Sequence, residues 1–401
     1  HPDLDGNLVA GSVTCTTFGC ASGGDDLEGH GTYVAGVILA ERNSVGIQGV
    51  APQAKFIAVR IADSIGSISS DTELNGLQYA LTQNVQIINS SYGTNPITDF
   101  APAVVRGLVT QSNGSGTREA AYQNMVSQGI INVWAAGNDG PTIEPSVLAA
   151  LPVYFQGATA PAGISQVDYD IANPSGFDWS QNWVAVVSVN SALSISSFSS
   201  KCGLARDWCL AAPGEIASTT QNGGGYNATN GTSFAAPHVT GALAVMLGAF
   251  PHLAPEDALE ILFNTATDLG VAGVDDVYGR GLVNLDKATS PTRGGWTLGT
   301  GAFSSVSFAS SGFNASGPFG NALARSNAGI EVRDAYNKND TIPLATLASA
   351  MEPQPGWLER TTFIDNLAQS KPILLGESAQ LQLAFEPVAS RDPTGASEHE
   401  P

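Results

Sequence analysis

The stretch "NGTSFAAPHVTGALAVML", Asn230–Leu247, decides how this chain is read. A glycine and two hydroxyl residues stand just ahead of an apolar run, with Pro237 among the first residues of the helix that the run predicts. Ser and Thr are ordinary helix caps, so capping alone accounts for Thr232 and Ser233 unless other segments bring partners for a serine hydroxyl.

Two segments do. "EGHGTYVAGVILA", Glu28–Ala40, puts His30 at the start of a predicted helix, with Ala35 and Gly36 small enough for close packing. "VWAAGNDG", Val133–Gly140, is a buried strand that emerges into small residues and then Asn138, whose amide can donate into a cleft. Acyl transfer needs a nucleophilic oxygen, a base to take its proton, and donors for the oxyanion. Ser233, His30 and Asn138 supply one of each, and all three lie at the ends of predicted elements.

The elements between them alternate. Lys55–Ala62, Val85–Gly93, Ile130–Asn138 and Trp183–Val189 are strand-like; Asp71–Gln83, capped by Asp71, and Arg118–Gly129 are helical. Apolar strands alternating with helices predict an α/β fold whose mostly parallel sheet is covered on both faces. Ligands in such sheets bind beyond the carboxyl ends of the strands. Beyond about residue 290 the texture becomes Gly/Ser-rich, with weak alternation. We therefore divide the chain into a domain over 1–289 and a β or irregular extension over 290–401.

Composition narrows the function. The 401 residues carry 36 acidic against 16 basic side chains, a net charge of −20. That balance repels nucleic acid and anionic membranes, so neither is an expected partner. The longest apolar stretch, near Val239–Phe250, is about a dozen residues and too short to span a bilayer. Cysteines occur as two local pairs, Cys15 with Cys20 and Cys202 with Cys209. Neither spacing is a redox or zinc signature, so the pairs read as two disulfides and an oxidising compartment.

"HGTYVAG", "AAGN" and "GTSFAAPHVTG" occur in the order found in the subtilisin-like serine peptidases, the subtilases, and the chain resembles that family from about His1 to Lys287. "GVAP" (Gly49–Pro52), "SYG" (Ser91–Gly93), "LAAPGE" (Leu210–Glu215) and "YGRGLVNLDKA" (Tyr278–Ala288) extend the likeness. The resemblance implies a three-layer α/β fold and a secreted or cell-surface endopeptidase needing no catalytic cofactor. It implies Ser233 as nucleophile, His30 as base, and Asn138 with the backbone N–H of Ser233 as oxyanion hole. It also implies that Ser91, Tyr92 and Gly93 offer a backbone edge to protein or peptide substrates, with Ala135, Ala136 and Gly137 lining the primary pocket. "ERNSVGIQGVAP" resembles a calcium loop, with Asp3, Asn43 and Ile47 as implied ligands of a structural calcium. The cysteine pairs and acidic balance resemble autotransporter passengers, so a propeptide or a barrel in the parent is a further expectation.

One expected part is not found. Subtilases carry the Asp that orients the His just before an "HPDL"-type segment, and this chain begins at "HPDL". Asp25 and Asp26 lie close to His30 on a loop, and Asp3 belongs to the "HPDL" segment, so none is the expected third member. In subtilisin itself, loss of that Asp alone lowers turnover by about 3 × 10⁴. The chain by itself is thus expected to be weakly active or inactive, the alternative being a catalytically dead peptide-binding module. An α/β-hydrolase does not fit, because the Ser motif lacks the second Gly of G-x-S-x-G and the His precedes the Ser. A metallopeptidase does not fit either, because no H-E-x-x-H occurs.

Overall fold

Strands β5 (Ile131–Ala135) and β6 (Trp183–Val189) are buried at every position, which is why both read as unbroken apolar runs. They form the centre of a four-stranded parallel sheet in the order β4-β5-β6-β7, flanked by β4 (Ile87–Ser90) and β7 (Cys209–Pro213). The computed structural model describes residues 1–93, 105, 109–110, 112–154 and 178–290, together with short strands farther along. Trp183, Ala185, Val187 and Val189 alternate along β6 into one core cluster. Leu74 and Leu77 of the helix Ser70–Leu81, and Tyr122, Met125 and Val126 of the helix Arg118–Ser127, join that cluster. Val184 and Val186, equally buried, point the other way by the period of two. The helix Thr232–Ala249, hereafter the serine helix, packs across all four strands.

A second sheet has the order β2-β1-β3, with β1 (Val13–Thr16) antiparallel to β2 (Gly19–Ser22) and parallel to β3 (Val59–Arg60). Cys15 and Cys20 stand directly opposite each other in its hairpin and are disulfide-bonded. Cys202 and Cys209 are also bonded, closing the turn that leads into β7. A hairpin of β8 (Glu215–Thr220) and β9 (Tyr226–Asn230) then delivers the chain to Gly231 at the head of the serine helix.

The structure differs from the sequence expectations in three places. Of the strand expected over Lys55–Ala62, only Val59–Arg60 pairs in a sheet. The helix expected to begin at Asp71 begins at Ser70 and is capped by Ser69, whose hydroxyl accepts from the N–H of Thr72 in a reciprocal capping box. The apolar stretch near Val239–Phe250 belongs to a longer helix of 18 residues, which is long and apolar enough to cross a membrane. It is 67% buried within the fold, as suits the central helix of a packed domain.

The chain divides into two compact units, His1–Pro291 and Thr292–Pro401. Within the second, Thr297–Leu298, Gly329–Arg333 and Asn339–Pro343 form an antiparallel sheet, and Pro372–Leu374 pairs with Gln380–Gln382. Most of the Gly/Ser-rich stretch lies outside the described residues.

Both disulfides close short loops, and each is expected to contribute about 2–3 kcal/mol through the unfolded chain. Cys202 and Cys209 are fully buried. Replacing that pair by serine buries two hydroxyls as well, so its urea midpoint should fall farther than that of the Cys15→Ser/Cys20→Ser variant.

Candidate active site

His30 opens the helix His30–Leu39 immediately after Gly29, which has a φ of 111° that favours glycine. This helix, the histidine helix, is capped from upstream. Asp26 Oδ1 accepts from the N–H groups of Gly29 at 2.7 Å and Glu28 at 3.3 Å, while Oδ2 accepts from the N–H and hydroxyl of Thr32, both at 2.7 Å. Glu28 Oε2 accepts the N–H of His30 at 2.9 Å. Both Asp26 oxygens therefore serve the helix terminus and neither reaches the imidazole. Burial raises the Asp26 carboxyl, but the bonds from Thr32, Gly29 and Glu28 outweigh it and hold it below its ordinary value. The β8–β9 hairpin steadies this loop, with Thr220 Oγ1 donating to Thr32 O and Asn222 Nδ2 to Asp26 O, each at 2.6 Å.

Ser233 occupies the second position of the serine helix, in the first turn where backbone N–H groups have no partner within the helix. Asn138, at the end of β5, meets it from the sheet. Its Oδ1 accepts from Thr232 N at 2.9 Å and Thr232 Oγ1 at 3.0 Å, and Thr232 Oγ1 accepts from Gly137 N at 3.2 Å. With Oδ1 committed to two donors, Nδ2 is the group left to donate outward. It lies 3.6 Å from where a Cβ would stand on Gly231, an ordinary contact distance, so Gly231 is required by its φ of 153° and not by space.

Pro237 has a larger part than a tolerated first-turn proline. It lies in the second turn, and its missing N–H is the one that would have bonded Ser233 O. That carbonyl instead accepts from Ser91 Oγ at 2.8 Å, while Ser233 Oγ donates to Ser91 O at 3.1 Å. The two serines are thus cross-bonded over a separation of 142 residues. Asn89 supports the pair, donating to Ser91 Oγ at 2.9 Å and accepting from Thr240 Oγ1 at 2.8 Å.

Of the three expected catalytic residues, Asn138 meets the serine helix through Thr232, and His30 approaches it at Phe234, while the Ser233 hydroxyl is bonded to Ser91 O. The His30 ring lies edge-on to Phe234, the residue after Ser233, with centroids 5.8 Å apart. Burial pushes the imidazole below its ordinary value, with Glu28 and Asp26 opposing. Its resting form at neutral pH is then a neutral ring able to accept a proton. Among the described residues, no carboxylate hydrogen-bonds to that ring. Ser91 follows β4 directly and is bonded to Ser233, and Gly93 is exposed two residues on. Ala135 and Ala136 are buried in the sheet, and Gly137, with a φ of 120°, turns the chain out toward Asn138. Thr32, Asn89 and Thr240 escaped the sequence reading of the site, as did the capping role of Asp26. Only Asp26 had a local signal, a carboxylate a few residues ahead of a helix start.

Asp3, Asn43 and Ile47 also converge, but not as a cation site. The fully buried Asp3 carboxylate accepts from Asn43 Nδ2 at 3.2 Å, Ile47 N at 3.3 Å and the Tyr226 hydroxyl at 2.6 Å. Asn43 Oδ1 is turned away to Val45 N at 3.0 Å. A calcium ion wants about six to eight oxygens, and of the implied set, which also counts the backbone carbonyls of Ile47 and the loop, both side-chain ligands are already taken, the Asp3 carboxylate by N–H and O–H donors and Asn43 Oδ1 by Val45 N. These residues do not fit the calcium implied by the resemblance.

The Subtilase family profile matches residues 1–281. The chain belongs to the subtilase family. Subtilisin of Bacillus pumilus is 35% identical over 288 residues, 72% of this chain and 86% of that protein. Subtilisin E of Bacillus subtilis is 35% identical over the same share of this chain, but the match spans only 62% of its length. Serotype-specific antigen 1 of Mannheimia haemolytica is 32% identical over 55% of this chain and 22% of its own. Among solved structures, the protease domain of PatA superposes with a TM-score of 0.52 at 23% identity, covering 72% of this chain and 88% of that one. That likeness supports the subtilisin-like α/β fold. Membership places the chain among the subtilisin-type serine peptidases, a family of hydrolases whose chemistry needs no cofactor.

If the Asp3 cage works without metal, calcium should leave the melting temperature of this subtilase unchanged. Asp3→Ala should lower its stability by about 1–3 kcal/mol, because buried donors lose their acceptor. Scanning calorimetry with and without a chelator checks both.

Proposed function

We propose that this subtilase hydrolyses peptide bonds through Ser233 as nucleophile and His30 as general base, with Asn138 Nδ2 and the N–H of Ser233 holding the oxyanion. The observation that carries this reading is Asn138, which anchors the serine helix through Oδ1 and keeps Nδ2 for the site. Ser233 Oγ attacks the substrate carbonyl as its proton passes to His30. The negative oxygen develops where two donors are already fixed, so no reorganisation is needed as charge appears. His30 then returns the proton to the leaving amine, and water releases the acyl group by the same path in reverse.

The substrate reading is an extended peptide added as a strand along Ser91, Tyr92 and Gly93, with an apolar side chain in the pocket of Ala135, Ala136 and Gly137. The carboxylate that orients His30 is proposed to come from outside residues 1–401, because Asp26 caps a helix and Asp3 sits in its own cage. We assign residues 1–289 as the peptidase unit and 290–401 as its extension. The two disulfides favour an oxidising location, outside the cell or on its surface. The similarity to an antigen favours the surface, with a propeptide or an autotransporter barrel as partners in the parent protein.

A fluorophosphonate probe tests the chemistry. The full-length protein should be labelled at Ser233, and Ser233→Ala should abolish labelling. A folded protein that binds peptide but stays unlabelled would instead be a non-catalytic binding module. Loss of the equivalent side-chain donor in subtilisin costs about 10²–10³ in kcat, and Asn138→Ala should fall in the same range. The base form of His30 is the active one and burial lowers its pKa within residues 1–401, so the residual labelling rate of this chain by itself should rise with pH through a midpoint below 6.5. A midpoint above that value would mean a carboxylate field that outweighs burial.

A further inference from the structure

Beneath the proposed substrate edge lies a buried charge that the chemistry at Ser233 does not use. Glu73 and Arg118 are 3% and 4% exposed and form an ion pair. Glu73 Oε2 accepts from Arg118 Nη1 at 2.5 Å, and its Oε1 accepts from the hydroxyls of Tyr122 at 2.6 Å and Tyr92 at 3.3 Å. Tyr92 is the middle residue of the Ser91–Gly93 edge. Its ring meets Trp134 edge-on at 5.3 Å, and Trp134 leads directly into Ala135, Ala136 and Gly137. Tyr122 meets Trp134 and Trp183 in the same way, and the two indoles stack at 5.6 Å.

A buried ion pair is a poor device for stability, since apolar side chains of similar volume do as well or better. Here it lies in an aromatic cluster that apolar residues would fill readily. What an apolar pair lacks is an acceptor that holds a phenol at a fixed point. Burial, and then the Glu73 charge, push the Tyr92 and Tyr122 hydroxyls well above their ordinary values, so both remain donors across the working range.

We propose that the Glu73–Arg118 pair is a positioning device for substrate: it fixes Tyr92 through its hydroxyl, and so holds the Ser91–Gly93 edge for peptides long enough to lie along it. The inference rests on the reading of that edge as the substrate strand. Glu73 does not touch substrate. Arg118 keeps the carboxylate aimed, and Tyr122 fixes it from the core side.

The test uses the full-length protein and a fluorescein-labelled apolar octapeptide. In a Ser233→Ala background, anisotropy should show the octapeptide binding about tenfold more weakly after Glu73→Gln, the cost of weakening a bond to a charged acceptor. The double variant Glu73→Met/Arg118→Met leaves no unpaired buried charge, so it folds even if Glu73→Gln does not, and it should weaken binding to a similar degree. With Ser233 intact, the same double variant should raise KM for the octapeptide about tenfold while kcat stays within about twofold. Unchanged octapeptide affinity in the double variant would overturn the proposal. So would a fall in kcat matching the rise in KM, which would indicate general damage. If Ser233→Ala protein binds no octapeptide at all, the edge and this inference fail together, while fluorophosphonate labelling still decides the catalytic assignment. Glu73-dependent binding by a protein that does not label would leave this inference standing and remove the catalytic one.

Discussion

The cross-bonded pair of Ser91 and Ser233 is the joint on which the site depends. A helix terminus and a strand end are held in register by two hydrogen bonds between residues 142 apart in the chain. The joint exists because Pro237 withholds an N–H from the helix and so releases the Ser233 carbonyl for Ser91 Oγ. A local defect in one helix is thereby turned into a tertiary contact. It places the nucleophile over the carboxyl ends of the parallel strands, with Asn138 arriving from β5 and His30 from the facing helix.

The same economy of polar groups recurs around the site. Asn138 uses one end of its amide to cap the serine helix and keeps the other for an oxyanion. Asp26 spends both oxygens on the first turn of the histidine helix, so a carboxylate close to His30 in sequence is unavailable to it in space. Asp3 is consumed by Asn43, Ile47 and Tyr226. Asp26 and Asp3 are thus both committed to holding chain segments in place, which is what a preorganised site requires.

Much of this was legible from residue order. Ser233, His30 and Asn138 each sit at the junction of an apolar run with small or polar residues, and such junctions mark the ends of elements. The unbroken apolar runs of β5 and β6 announced a sheet covered on both faces, because no polar face was needed. The Ser69 cap was missed in favour of Asp71, since both residue types cap helices and only the backbone conformation chooses between them. The strand expected over Lys55–Ala62 shrank to two paired residues, because pairing depends on a neighbour that propensity does not reveal. The Glu73–Arg118 pair gave no signal at all. Its members lie 45 residues apart, and charged residues on helices ordinarily face solvent.

What the sequence determined by itself was chemistry in one dimension: the residue types, the order of elements, the two local disulfides and the family. Those features are set by neighbours along the chain. Only the tertiary structure decided which end of the Asn138 amide anchors, where the Ser233 carbonyl freed by Pro237 goes, that Asp3 meets hydrogen-bond donors, and that an ion pair lies under Tyr92. Each of these is a choice of partner for a polar group. Such choices depend on which distant segments packing brings within about 3 Å, a distance no local pattern encodes.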